Sequence, residues 1–411
     1  MDKKRFRKYT VRLVLVTLCL LLIVAGFNWV VNPYRVFDSP VIEGFNALKP
    51  QLITHILMSK AYSVRAIKPQ SIILGTSRAD AGIDPNHPAW SAYPVYNLGL
   101  SGANIYEIYR YFQHANAIRP LKQVVLMLDF FSFVECRYGV SDPSFEPRLS
   151  VSYEGQLQPL SVITDAMPST ISIDALTASI ATITHQTEED STHLENGMRM
   201  DRPLESYRGY HDAFILTAET YMTNIYLPPK YQFDDLTPGT VSVFEYYRKI
   251  LQIAYRDNID LRMAISPSHV QQWETLSVVG LYSRFEEWKG LLVRINEEEA
   301  TIAGKPPFPL WDFSVYCDFT TDPIPAPDDY TTEMKWYWDS SHYRKVLGDL
   351  LLDRVFGKTT LDFGVLLTSD NIIEHLHSIR VDQQKYRSSH PVNIAEIEEL
   401  AKRLGVYDEA R

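Results

Sequence analysis

The chain has 411 residues, 45% hydrophobic and 22% charged, with a formal net charge of −10. That composition excludes a disordered chain and provides for one large core or two moderate ones. The acidic balance lacks the clustered Lys and Arg that neutralise phosphates, so no nucleic-acid partner is expected. Three cysteines exclude a disulfide scaffold, although Cys136 and Cys317 can pair in an oxidising compartment.

Residues 1–12 are basic (Lys3, Lys4, Arg5, Arg7, Lys8, Arg12), and Leu13–Val31 is apolar apart from Thr17 and Asn28. As a helix this stretch is roughly 28 Å long, enough to cross a bilayer. The positive flank favours the cytoplasmic side, and no small-x-small cleavage site follows cleanly. The expectation is an uncleaved single-pass signal anchor in the cell membrane, with the rest of the chain on the extracytoplasmic, periplasmic side and Trp29 at the outer interface.

Residues 32–68 read as a connector, interrupted by Pro33, Pro40 and Pro50, with a weak helical pattern over Leu52–Ile67. A first core part follows at 69–136. Ser71–Leu74 and Val95–Leu98 are short apolar runs of buried-strand length, each ending in a small-residue cluster, Gly75-Thr76-Ser77-Arg78 and Gly99-Leu100-Ser101-Gly102. Ile105, Ile108, Tyr109 and Phe112 mark one helix face, and Gln123–Asp129 is a third strand. Continuous apolar strands alternating with helices predict an α/β fold with a parallel sheet covered on both faces.

Residues 137–238 change composition and read as an insertion with an acidic patch at Glu188–Asp190 and one helix near Ile171–His185. A structureless connection of that length is improbable, so the insertion should pack along the rim of the sheet's carboxyl edge and shape a groove. The second core part, 239–356, holds a helix through Phe244, Tyr247, Leu251 and Ala254, then a strand over Asp260–Ser266 closed by Pro267-Ser268-His269. Next come a helix through Leu281, Phe285, Trp288, Leu292 and Ile295, and a short strand over Phe308–Phe313. A final helix through Val346–Val355 is terminated by Gly357. The tail, 357–411, is polar and helical in two pieces. The sheet should therefore have five strands.

Loops beyond the carboxyl ends of parallel strands are where such sheets keep their chemistry. Ser77 lies in the first of these loops and is the candidate nucleophile. Acyl transfer by serine also needs a base, a carboxylate to orient it, and N–H donors for the oxyanion. The pattern D-x-x-H occurs at Asp84–His87, Asp190–His193 and Asp339–His342. Only Asp339–His342 joins an aromatic segment to a core helix. Gly102 can lend a backbone N–H, Arg78 and His269 face the same rim as candidate binding residues, and Asp129 is a candidate hydrogen-bond partner for the Ser77 loop. Ser101 suits a helix N-terminus. Plainer roles stand beside these: Ser77 as a small residue at a tight strand end, His342 as a helix-capping histidine. There is no phosphate loop, no dinucleotide fingerprint and no Cys/His metal spacing, so neither cofactor nor metal is expected.

The ordered set G-T-S-R, N-L-G-L-S-G, V-V-L-M-L-D and D-S-S-H-Y resembles the SGNH (GDSL-like) hydrolase superfamily. It is most similar to the membrane-anchored envelope branch of alginate O-acetylation and teichoic-acid D-alanylation proteins. The resemblance covers roughly Pro69–Arg137 and Thr240–Phe356. It implies a three-layer α/β/α domain, with Ser77 as nucleophile, Gly102 as oxyanion glycine, His342 as base and Asp339 as orienting acid. It also implies a cell-surface glycan as substrate and a membrane-bound acyl-donor protein as partner. Two departures stand out: Gly75-Thr76-Ser77-Arg78 replaces the family's G-D-S, and Asp129-Phe130-Phe131 stands where a G-x-N block would supply an oxyanion asparagine. Asn104 is the nearby substitute. Three functions follow: an O-acyltransferase or esterase of surface polysaccharide, a noncatalytic carbohydrate-binding or assembly factor, and a membrane-tethered scaffold.

Overall fold

The computed structural model describes residues 3–134, 148–158, 163–187, 191–201, 208–228, 231, 233 and 242–408. Its contacts divide the chain into two compact units, residues 1–68 with 142–200 and residues 69–141 with 201–411.

The first unit contains the Lys3–Val31 helix, which is long and apolar enough to cross a membrane. Its last turns are tied to other parts of the unit. Asn28 Nδ2 donates to the Thr170 carbonyl at 2.8 Å, and the buried Lys49 Nζ donates to the Val31 carbonyl at 2.7 Å. The expected connector is no mere tether. A 3-10 turn (Leu52–His55) and a helix (Ile56–Ile67) pack Met58 and Tyr62 against Tyr34, Val36, Ala175 and Ala178. Two helices, Ile163–Ile171 and Ile173–Thr184, come from the segment read as an insertion. Small residues at 175 and 178 allow this close packing, and Tyr62 and Tyr34 satisfy their hydroxyls on Asp165 and Asp174, at 3.0 and 2.6 Å.

The second unit is built on six strands, β1 (Ser71–Gly75), β2 (Val95–Gly99), β3 (Gln123–Leu128), β4 (Asp260–Ile265), β5 (Leu310–Asp312) and β6 (Val365–Leu366). Their order is β2-β1-β3-β4-β5-β6, with β1 to β5 parallel and β6 antiparallel to β5. The sheet is mostly parallel as expected, but it has six strands rather than five. The sixth is a two-residue, exposed edge strand with no periodicity to read. Every residue of β1, β2 and β3 is buried, which explains their continuous apolar runs. Register places Ser71 beside both Val95 and Gln123, so β1 and β2 end level, at Gly75 and Gly99.

The segment read as one insertion is divided near residue 200. From Asp201 onward it belongs to the α/β unit and adds a helix (Tyr210–Thr220) continued by a π-turn (Tyr221–Ile225). The acidic patch at 188–190 and Cys136, with its pairing to Cys317, lie outside the described residues. The tail forms two helices, Ile372–Ser389 and Pro391–Leu404. It is joined to β5 by a buried cluster in which Asp312 Oδ2 accepts from Lys289 Nζ at 2.7 Å and from His375 Nε2 at 2.8 Å.

Candidate active site

The Ser77 loop is set by two close approaches. Gly75 ends β1 at φ +149°, and a Cβ there would lie 2.8 Å from Ala79 Cβ and 2.9 Å from Met127 Cβ. Thr76 then caps a six-residue helix, Ser77–Gly82, its hydroxyl accepting from the Arg78 N–H. At the far end of this helix, Gly348 of the Lys345–Val355 helix crosses Gly82, where a Cβ on Gly348 would come within 1.7 Å of the Gly82 carbonyl oxygen. Asn97 of β2 donates to the carbonyls of Ala79 and Ile83, both at 2.8 Å. Ser77 therefore sits at the start of a turn clamped at both ends.

His342 arrives on a ribbon. Tyr337 and Tyr343 form an antiparallel bridge, with the Trp338 N–H on the His342 carbonyl at 2.9 Å and the Arg344 N–H on the Trp336 carbonyl at 2.8 Å. This ribbon, rather than the start of a helix, folds Asp339 back onto His342; the helix begins only at Lys345. Asp339 Oδ1 accepts the N–H groups of Ser341 and His342, each at 2.8 Å, and Oδ2 lies 2.8 Å from His342 Nδ1. The other ring nitrogen, Nε2, lies 2.9 Å from Ser77 Oγ. Burial pushes the Asp339 carboxyl up, but His342 and the two backbone donors outweigh burial and hold it below the ordinary carboxylate range. Asp339 is thus a charged acceptor held beside Nδ1, which turns the other ring nitrogen toward Ser77.

A second layer joins the two halves. Arg78 donates from Nη1 to Asp129 Oδ1 at 2.9 Å and from Nε to Ser341 Oγ at 3.0 Å, and its guanidinium lies 4.9 Å from the Phe131 ring centre. Thr76 Oγ1 donates to the other Asp129 oxygen at 2.6 Å, so Asp129 is the hydrogen-bond partner of the Ser77 loop. Tyr221 meets Ser341 Oγ at 2.7 Å. Ser341, between Asp339 and His342, is readable from D-S-S-H; nothing local to Tyr221 in sequence announces its contact.

The sequence-derived candidates fare unequally in this geometry. Ser77, His342 and Asp339 come together. Arg78 is 5% exposed and His269 1%, so neither lies on the rim as a binding group. His269 caps the Val270–Val278 helix through Nδ1 and faces the Asp322 carbonyl from Nε2 at 2.9 Å. Burial lowers its pKa to about 4. Asn104, not Ser101, caps the Ile105–Ile118 helix, in a capping box with Glu107 that occupies its Oδ1. Gly102, at φ +68°, lies in the turn after β2, which is pinned to the Ser77 loop where the Leu100 N–H donates to the Gly75 carbonyl at 2.9 Å. Asp84 and His87 belong elsewhere, with Asp84 paired to Lys345 at 2.9 Å. Among the described residues no group of three or more His, Cys, Asp or Glu side chains is placed to hold a metal.

No family model and no curated protein matches the chain.

Proposed function

We propose that the protein is a membrane-anchored acyltransferase or esterase, SGNH-like with a three-layer α/β/α core, acting on cell-surface polysaccharide from the extracytoplasmic side. The observation that carries this reading is the relay itself, Asp339 Oδ2 to His342 Nδ1 at 2.8 Å and His342 Nε2 to Ser77 Oγ at 2.9 Å. These separations are those of a nucleophile, base and orienting acid ready for acyl transfer. Ser77 Oγ attacks the ester carbonyl while His342 takes its proton, and backbone N–H groups of Ser77 and Gly102 receive the oxyanion. Collapse expels the alcohol, which takes the proton from His342, and leaves an acyl group on Ser77. Water or a glycan hydroxyl then attacks that ester as His342 takes its proton; the acyl–Oγ bond breaks, the acid or acylated glycan leaves, and the proton returns from His342 to Ser77 Oγ. A membrane-bound acyl-donor protein is the proposed source of the acyl group when the reaction is transfer.

One observation favours a second reading, a noncatalytic glycan-binding factor. Asp129, where relatives would place an oxyanion loop, is bound by Thr76 and Arg78, and the neighbouring Phe130 and Phe131 are buried. Losing one oxyanion donor costs about 2.7–4 kcal/mol in a hydrolase built around it. Incubating the detergent-solubilised full chain with 4-nitrophenyl acetate and with O-acetylated oligosaccharides separates the two. Acyl release that vanishes in Ser77→Ala supports the enzyme, and glycan binding without release supports the factor.

A further inference from the structure

Residues of the ribbon alternate in direction. Tyr337 and Tyr343 are fully buried, so Trp336, Trp338, His342 and Arg344 share the opposite face, with Trp338 directly across from His342. Beside Trp338 and Arg344 lies a cavity of about 350 Å³ that the relay does not use; Arg208, Tyr210, Tyr330 and Glu333 are among the residues that line it. Its volume is at the lower end of small-molecule sites, about 300–1,000 Å³.

The walls are set in advance. The Trp338 indole N–H donates to Asp201 Oδ1 at 2.8 Å, and the Arg344 guanidinium lies 4.1 Å from a Trp338 ring centre while Nη1 donates to the Met334 carbonyl at 2.9 Å. The Tyr210 ring runs within 8° of parallel to Trp338 at 6.3 Å. Asp329 Oδ1 accepts the N–H groups of Thr331 and Thr332, both at 2.9 Å, and this turn presents Tyr330. Gly209 admits that ring, since a Cβ there would stand 3.0 Å from Tyr330 Cδ1. Tyr330 is nonetheless 63% exposed. An aromatic ring on a turn held by Asp329 is thus offered to solvent in a cavity that Arg208, Arg344 and Glu333 also line. A sugar ring has the matching chemistry: an apolar C–H face for the aromatic surface, and hydroxyl groups at its edge for planar charged partners.

We propose that this cavity is a glycan subsite that stacks one sugar ring on Tyr330 while the neighbouring ester or hydroxyl group reaches Ser77 and His342. The inference rests on the glycan-directed function proposed above. It goes beyond that reading in assigning recognition to Tyr330, with Tyr210 and Arg208 lining the same cavity.

The test compares kcat/KM of the full-length, detergent-solubilised protein on O-acetylated xylo-, manno- and gluco-hexaoses with that on 4-nitrophenyl acetate. Tyr330→Ala is expected to lower the hexaose-to-reporter ratio roughly tenfold, through KM, and Tyr330→Phe to keep it. An unchanged ratio in Tyr330→Ala overturns the subsite and leaves the proposed enzyme standing. If the wild type turns over neither substrate, the enzymatic reading fails separately, and calorimetric binding of the same hexaoses decides the subsite. Binding lost in Tyr330→Ala upholds it, and absent or unaltered binding overturns it. Tyr330-dependent binding of a casein peptide digest, with no hexaose bound, also overturns it and makes a polypeptide the occupant.

Discussion

His342 Nε2 lies 2.9 Å from Ser77 Oγ although 265 positions separate the two residues. Neither residue is held by that contact alone. Ser77 is clamped by Gly75, Asn97 and Gly348, and His342 by Asp339 and the Tyr337–Tyr343 bridge. Arg78 and Ser341 join the two supports, so the Ser77–His342 contact is held from both sides.

Replacing Ser77 by Ala should abolish acyl release from 4-nitrophenyl acetate. Stability should stay within about 0.5 kcal/mol, because the lost hydroxyl carries little packing volume. Turnover and thermal unfolding of the same preparation check both halves of this expectation, and full activity in the variant removes the catalytic reading.

Asp339→Asn keeps the shape but removes the charge that orients His342. A fall in kcat on the order of 10⁴-fold is expected, with KM changed far less. Steady-state kinetics on the reporter measure the split; a change confined to KM would assign Asp339 to binding instead.

Arg78→Met leaves Asp129 buried without its cationic partner, a loss of roughly 3–5 kcal/mol. Adding Asp129→Asn should restore part of that stability. Urea unfolding of the two single variants and the double variant gives the coupling, and strictly additive losses would contradict the pairing.

His269 is neutral and buried, with a folded pKa of about 4 against an ordinary value of 6.5. The unfolded chain therefore binds the extra proton first. Its contribution to stability is fully present above pH 6.5 and is lost as pH falls toward 4, by roughly 3 kcal/mol. Unfolding free energies at pH 7.5 and pH 4.5 should show a smaller acid loss in His269→Asn, which keeps a capping oxygen, than in the wild type. Equal losses would mean that the imidazole titrates normally.

The topology proposed from the basic flank and the Lys3–Val31 helix is open to a fusion experiment. Alkaline phosphatase joined to the C-terminus should be active, and a green fluorescent protein dark, in cells that place the domain outside the cytoplasm. The reverse pattern would put the domain in the cytoplasm and exclude a surface polysaccharide as substrate.

Sequence alone was enough for β1 to β3, because strands buried on both faces must be continuously apolar, and enough to single out Ser77, which follows an apolar strand run, and Asp339 and His342, which join an aromatic segment to a core helix. The two-residue β6 was not legible, and neither was the division of residues 137–238 between two units, since partners distant in sequence decide both. Arg78 and His269 were misplaced for the same reason. A charged residue in a strand-end loop reads as solvent-facing, and only tertiary structure could bury Arg78 against Asp129 and Ser341 and His269 against the Asp322 carbonyl. Periodicity records which face of an element is apolar; it holds no record of which distant polar group will be brought within 3 Å to satisfy a buried charge.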